Sequence, residues 1–405
     1  MRLPDDPNMQ PGVPERPFEP AASPQQGESR CVMQILPRLE TGGVERGTAD
    51  IAAALVHAGW KSIVVSAGGP MVREIERAGA VHVTLPVDSK NPLVMRKNVD
   101  RIAALIEQHA VDLVHARSRA PAWSAWYAAR RTRRPFVTTF HGTYNARNRL
   151  KRFYNSIMVR GARVIAISEF IGRHVVETYG VPPSLIRVIH RGIDVVNFDK
   201  NRVSAERVIQ LAREWRLPDG VPVVMLPGRL TRWKGQTVLI EAMARLGRRD
   251  VCCLLIGSDQ GRTAYRAELE ALIRARGLEG VVRVLDHCRD MPAAFMLADV
   301  VVHASTDPEA FGRVIAEAQA MGRPVIATNH GAAPEIILPG STGWLVPPGD
   351  PDALAGALAA ALALDPAARA ALAETAAANI RARFSREQMC AATLAVYGEV
   401  LAEFA

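Results

Sequence analysis

The segment Val300-Val301-Val302-His303-Ala304-Ser305-Thr306-Asp307-Pro308-Glu309-Ala310-Phe311-Gly312-Arg313-Val314-Ile315-Ala316-Glu317 decides how the chain is read. Val300–His303 is a short β-branched run and reads as a buried strand. A loop follows, and a helix is predicted to start near Phe311. Glu309 then falls in the loop at a helix N-terminus. Glu317 falls along the helix, roughly 9 Å past its start at about 1.5 Å per residue. The N–H groups of Gly312, Arg313 and Val314 lack partners inside such a helix and form a socket for an anion.

The same strand–loop–helix unit recurs on both sides of this segment. Towards the N-terminus of the chain, Cys31–Leu36, Ser62–Ala67, Val81–Leu85, Asp112–Ala116, Phe136–Phe140, Val164–Ser168 and Arg187–His190 read as strands, with helical patterns between them. A connection follows over 191–221, with a polar helix at Ala205–Trp215 and a turn at Pro218-Asp219-Gly220. The series then restarts at Val223–Leu226, Cys252–Ile256, Val281–Leu285, Val300–His303 and Val325–Thr328, and a last helix runs from about Arg386 to Glu403. Such alternation predicts two α/β domains with parallel sheets, over 30–200 and 201–385. Residues 1–29 hold seven prolines and almost no aliphatic run, and read as a disordered tail.

In open α/β sheets, ligands bind beyond the carboxyl ends of the strands, and the chemistry-bearing residues cluster there. The socket before Arg313 has a carboxylate on each side, Glu309 and Glu317, and carboxylates accept from paired hydroxyls. A nucleotide sugar, with phosphates between a ribose and a hexose, has that shape. Gly228, Arg229, Lys234 and Gly235 follow the strand Val223–Leu226, where Arg229 and Lys234 can reach a diphosphate. Thr41-Gly42-Gly43 follows the first strand and lets the backbone approach a ligand. His141 and Gly142 follow Phe136–Phe140, and His141 is a candidate to bond a sugar or move a proton. Asp286, His287 and Cys288 end another strand and are candidates to line a base pocket, while Asp286 and Asp290 read equally as loop or helix-cap residues. The one D-x-D, Asp350-Pro351-Asp352, reads as a helix cap rather than a metal site. No metal ligand and no cofactor are assigned.

Charge is unevenly spread. The net charge is +9, yet Leu113 to Ser168 alone holds twelve Arg or Lys and no Asp or Glu. Arg130, Arg131, Arg133, Arg134, Arg147, Arg149, Lys151 and Arg152 are interleaved there with Trp123, Trp126, Tyr127, Phe153 and Tyr154. A polyanion or an anionic surface is the partner this implies, with a plain solvated basic face as the alternative. Nucleic acid is not expected, for want of a recognisable module. The five cysteines show no framework spacing and read as buried thiols in a reducing compartment. With no apolar leader visible, the expectation is a cytoplasmic protein.

Taken as an ordered set, Glu309 and Glu317, Gly228-Arg229 with Lys234, Gly42-Gly43, His141, Val188–Asp194 and Pro334-Glu335 resemble the large retaining family of GT-B glycosyltransferases, family 4, over about residues 31 to 405. The resemblance implies two facing Rossmann-like domains with an interdomain cleft, and a final helix, about 386–405, that packs back on the first domain. It implies that Glu309 binds the hexose hydroxyls of a UDP-, GDP- or ADP-sugar and that Glu317 binds the ribose. Arg229 and Lys234 would neutralise the departing diphosphate, with backbone N–H groups of Gly43 and of Phe311, Gly312, Arg313 and Val314. His141 would contact the sugar near the anomeric carbon, with no metal. The acceptor would be a glycan or glycolipid, as in lipopolysaccharide or other envelope polysaccharide synthesis. The enzyme would then sit on the anionic inner face of the cytoplasmic membrane through the basic stretch 113–168.

The pattern departs from the family at Ala310, often glycine, and at Arg313, often aliphatic, which opens the question of donor identity. Two other outcomes share the fold: a catalytically inactive partner subunit, and a sugar-nucleotide epimerase. A nicotinamide oxidoreductase would need a G-x-G-x-x-G and a following acidic residue that the first βαβ unit lacks.

Overall fold

Short aliphatic runs, buried on both faces, give two wholly parallel sheets, as such runs do when helices cover each side. The structure, a computed structural model, describes residues 30–405 apart from Asn145, Arg147 and Arg262. The Pro-rich segment 1–29 therefore lies outside the described residues. The first sheet contains β1 (Cys31–Ile35), β2 (Lys61–Ser66), β3 (Val81–Thr84), β4 (Leu113–Ala116), β5 (Phe136–Phe140), β6 (Arg163–Ala166) and β7 (Ile186–Val188), in the order β3-β2-β1-β4-β5-β6-β7. The second contains β8 (Val223–Pro227), β9 (Cys252–Ile256), β10 (Val282–Leu285), β11 (Val300–His303), β12 (Val325–Thr328) and β13 (Gly343–Val346), in the order β10-β9-β8-β11-β12-β13. In both, the order reverses direction beside the first strand, so loops on either side splay apart and leave a crevice.

Two details differ from the sequence reading. Gly343–Val346 forms an edge strand against β12, a pairing its four residues and leading glycine do not announce. The helix after β11 spans Arg313–Ala320, two residues later than expected. Its cap, Gly312, has φ of 91°, a left-handed conformation that a glycine adopts without strain.

The two halves are tied at the linker and at the end of the chain. Ile193 N donates to Phe384 O at 2.9 Å, and Arg386 N donates back to Ile193 O at 2.9 Å. The last helix, Arg386–Phe404, then lies on the first sheet. Its Tyr397 hydroxyl meets His115 Nδ1 at 2.6 Å, and His115 Nε2 meets Thr139 Oγ1 at 2.7 Å. Burial, reinforced by Arg117, keeps this imidazole neutral. On the same helix, Glu399 accepts from Arg163 Nε at 2.9 Å and from Arg187 Nε at 3.0 Å, and Glu403 also pairs with Arg163. All five cysteines are buried as free thiols.

Asp50, on the helix Gly43–His57, faces this junction. Burial pushes its carboxyl up to about 6, against the pull of Arg386 and Arg46 and with added repulsion from Asp194 and Glu74. A carboxyl raised in the folded state binds a proton there that the unfolded chain has already lost. Its effect on stability is thus a cost, complete above pH 6 and absent below about pH 4. D50N is expected to raise the melting temperature at pH 8 and leave it unchanged at pH 4. Scanning fluorimetry across that range checks this, and an equal shift at both ends would contradict it.

Candidate active site

β11 delivers a carboxylate to a cluster of donors. The Glu309 Oε1 accepts from Lys234 Nζ at 2.5 Å, from His303 Nε2 at 2.7 Å, and from the Ser305 hydroxyl. Burial alone would raise this carboxyl. His303 and Lys234 outweigh burial and hold it far below the usual carboxylate range, so it stays ionised. Lys234 also lies over the Trp233 ring at 4.6 Å. Trp233 O accepts from Thr306 N at 2.8 Å, which joins the lysine loop to the loop that carries Glu309.

The helix N-terminus read as an anion socket lies beside this cluster, and one of its side chains makes a contact not expected from the sequence. Arg313 Nη2 donates to Glu317 Oε1 at 2.8 Å, one turn along the helix. Glu317 is buried, and its carboxyl is pushed up by burial against the pull of Arg313. A ribose would thus share Glu317 with Arg313. The Phe311 side chain is buried against Phe384, with ring centroids 5.9 Å apart, which leaves Phe311 only its backbone to offer a ligand. Val314 is half-buried and Gly312 buried. Gly228 N donates to Ile256 O at 2.8 Å, which fixes the loop after β8, while Arg229 is exposed beside it.

Across the cleft, the first domain presents Gly42, Gly43 and His141. Gly42 caps the helix Gly43–His57, and the Glu45 carboxylate folds over that end against Gly42. His141 is half-buried, with Nδ1 2.9 Å from Arg191 Nη2. Burial holds its ring well below the usual imidazole range, and the cations Arg191 and Arg117 add to the effect. A ring kept neutral this way offers one N–H donor and one lone pair and carries no charge of its own. Arg191 also donates to Gly43 O. Behind it, the buried Arg117 donates to Gln34 Oε1 at 3.3 Å.

Glu335 closes the cleft. It lies on the second domain in the turn Ala333–Ile336, yet its carboxylate accepts from Glu169 N at 2.8 Å and Phe170 N at 2.7 Å, the first residues of the helix Glu169–Tyr179 on the first domain. His190 Nε2 in the linker completes the contact at 2.8 Å. Burial would raise this carboxyl, but these donors hold it below its ordinary value. The loop before it bonds to Glu309, since Ala332 N donates to Glu309 O at 3.0 Å. Closure and the carboxylate cluster are thus joined through three residues of backbone.

The remaining sequence candidates scatter. His287 is exposed after β10 at the sheet edge, and its neighbours Asp286 and Asp290 pair with Arg266 and Arg207 at 2.6 Å each. Asp350 caps the helix Pro351–Leu362, as read from sequence. The basic stretch is not one solvated face. Arg117 and Arg163 are buried, Arg131 pairs with Asp100 at 2.7 Å, and Arg134 pairs with Asp112 at 3.6 Å. Arg147 lies outside the described residues. What stays outward is the helix Arg149–Asn155, with Leu150 81% and Phe153 61% exposed beside Arg149, Lys151 and Arg152, and Tyr127 50% exposed nearby. No single helix among the described residues is long and apolar enough to cross a membrane. His303, Ser305, Arg191 and Arg117 were missed as site residues. Of these, His303 had a signal, as a lone imidazole closing an all-valine strand.

Comparison with known proteins gives a consistent result. Residues 209–379 match the profile of glycosyl transferases group 1, and residues 41–197 match that of glycosyltransferase family 4. A D-inositol 3-phosphate glycosyltransferase of Xylanimonas cellulosilytica is 32% identical over 71% of this chain and 72% of its own. A crystal structure of a glycosyltransferase from Rickettsia africae superposes with TM-score 0.86 at 37% identity, over 93% of this chain and 99% of that one. Anabaena HepE in complex with UDP-glucose superposes with TM-score 0.77 at 27% identity, over 90% and 99%.

The Glu335 contact predicts its own effect. E335A removes a charged acceptor from two helix N–H groups and from His190, and is expected to lower stability by about 2 kcal/mol. Chemical denaturation checks the loss, and small-angle scattering should show a wider domain separation. An unchanged midpoint and radius of gyration would contradict the assignment of Glu335 as an interdomain tie.

Proposed function

The chain belongs to the glycosyl transferases group 1 and to glycosyltransferase family 4, and on that premise we propose that it moves a hexose from a UDP-sugar to a glycan or glycolipid acceptor with retention of anomeric configuration. The observation that carries this reading is Glu309, ionised and fixed by Lys234, His303 and Ser305, beside the N-terminus of Arg313–Ala320. UDP is favoured as the donor's nucleotide because the Anabaena relative holds UDP-glucose.

In this scheme the diphosphate lies at the helix N-terminus. Negative charge grows on it as the sugar–phosphate bond breaks. Arg229, Lys234 and the backbone N–H groups of Gly312, Arg313 and Val314 bear more of that charge in the transition state than in the ground state. The second oxygen of Glu309 accepts from hexose hydroxyls, and that of Glu317 accepts from the ribose. His141 donates towards the hexose.

Retention is the outcome typical of the family, and Glu309 bears on how it would be reached. A double displacement needs a carboxylate free to bond carbon. The Glu309 oxygen is held by three donors and its basicity is depressed, so it is a poor nucleophile. For a transfer with retention, attack by the acceptor on the face the diphosphate leaves is the route that needs no such nucleophile.

The outward helix Arg149–Asn155 supports an acceptor presented at a membrane, as in lipopolysaccharide or other envelope glycan synthesis. Its exposed Leu150 and Phe153 sit among cations, the pattern of a segment that lies in an anionic interface. A peripheral position on the inner face of the cytoplasmic membrane follows from that reading.

Thermal shift against UDP-, GDP- and ADP-sugars is expected to show stabilisation by the UDP class, weakened in E309A and K234A. Both variants should lose about 10²- to 10³-fold in kcat. No shift with any donor would remove the transferase reading and favour an inactive subunit. Product formation without acceptor would favour an epimerase. For the membrane, co-sedimentation with vesicles holding anionic phospholipid is expected to exceed that with neutral vesicles and to fall in a L150S/F153S variant. Equal binding to both vesicle types would contradict docking.

A further inference from the structure

We propose that Arg191 is a positioning residue: from the interdomain linker it bonds the Gly43 carbonyl and His141 Nδ1 together, and so presents His141 to the cleft as an Nε2–H donor for a substrate oxygen. The proposal rests on the transferase reading for the identity of that oxygen, but not for the geometry.

A guanidinium has donors and no acceptor. Its contact at 2.9 Å therefore requires His141 Nδ1 to offer its lone pair, and the ring proton must sit on Nε2. That Nε2 is shut from solvent and has no partner among the described residues. A buried N–H left unpaired is destabilising, so the orphan marks where a ligand atom is to be received. Without Arg191 the ring would be free to choose either tautomer.

The sequence makes room for this arrangement. Gly43 and Gly47 lie one turn apart on a helix whose N-terminus opens into the cleft. A Cβ on Gly43 would come within 3.2 Å of Arg191 Nη1, and one on Gly47 within 3.1 Å of Arg117 Nη2. Two small residues thus admit two guanidiniums at one end of the first sheet. The groups that face His141 are Arg191 from the linker, Arg117 and His115 from β4 and its following loop, and the Tyr144 hydroxyl, 3.5 Å from His141 N. Arg191 itself is lowered to about 9 by burial and then by Arg117 and Arg313, with Glu45 opposing, and remains charged at neutral pH. The residue before it, His190, is held by Glu335 of the second domain at 2.8 Å. The Arg191 geometry is therefore set when the domains are closed.

The test uses the full chain labelled with ¹⁵N-histidine, with the His141 signals assigned by their loss in H141N. Two-bond ¹⁵N–¹H correlation spectra are expected to show the Nε2–H tautomer from pH 5.5 to 8. R191Q should show mixed tautomers and the onset of protonation within that range, while R191K, which keeps a cation and a donor, should restore Nε2–H. With UDP-glucose as donor probe, R191Q should bind about ten-fold more weakly than the wild type at pH 8, and R191K should recover most of that loss. An Nδ1–H tautomer in the wild type would overturn the proposal, even if R191Q fails to fold. So would a folded R191Q with an unchanged His141 spectrum. Failure of the transferase reading would look different: no response to UDP-glucose, with the wild-type tautomer still Nε2–H.

Discussion

A carboxylate placed beneath a helix N-terminus, away from water, has to be held by donors or it will take up a proton. Glu309 meets that constraint with a lysine, an imidazole and a hydroxyl on one oxygen. Much of the second domain is arranged around this requirement. β11 ends in His303 and is followed by Ser305, and the loop after β8 carries Lys234 back across to meet them. The result is a fixed negative charge with one oxygen left over for a ligand, beside backbone donors suited to phosphate. Charges of both signs are set before the substrate arrives, so little reorganisation is needed during reaction.

The first domain has the opposite balance. Arg117 and Arg191 crowd the end of the sheet, with no carboxylate bonded to either guanidinium among the described residues. Placing like charges together destabilises the free protein and favours an anionic or oxygen-rich ligand in the cleft. Glu335 joins the two halves, since it caps a helix of one domain from a turn of the other and touches the linker on the way. The last helix adds a second tie through Tyr397 and Glu399. The candidate residues thus come from both domains, which these ties hold together.

Much of this was legible in the sequence, and the parts that were not share a cause. The strands were readable because each is a local aliphatic run. The edge strand Gly343–Val346 escaped because pairing with β12, not composition, makes it a strand. Glu309, Glu317 and Lys234 were readable from their places at strand and helix ends. Their partners were not, because His303 on Glu309 and Arg313 on Glu317 depend on side-chain direction. Arg191 was hidden for a different reason. It sits 50 positions from His141 and 148 from Gly43, contacts that only the assembled parallel sheet creates. The basic stretch misled in the other direction, since Arg163 is consumed by Glu399 and Glu403, more than 200 positions away.

The central claim is that one bound donor would touch both carboxylates and the helix N-terminus at once. A crystal structure of the chain with UDP-glucose tests it most directly. The account predicts the diphosphate against the N–H groups of Gly312, Arg313 and Val314, hexose hydroxyls on the free oxygen of Glu309, and His141 Nε2 within hydrogen-bond reach of the sugar. A nucleotide bound elsewhere, or a hexose out of reach of Glu309 with the domains closed, would contradict it.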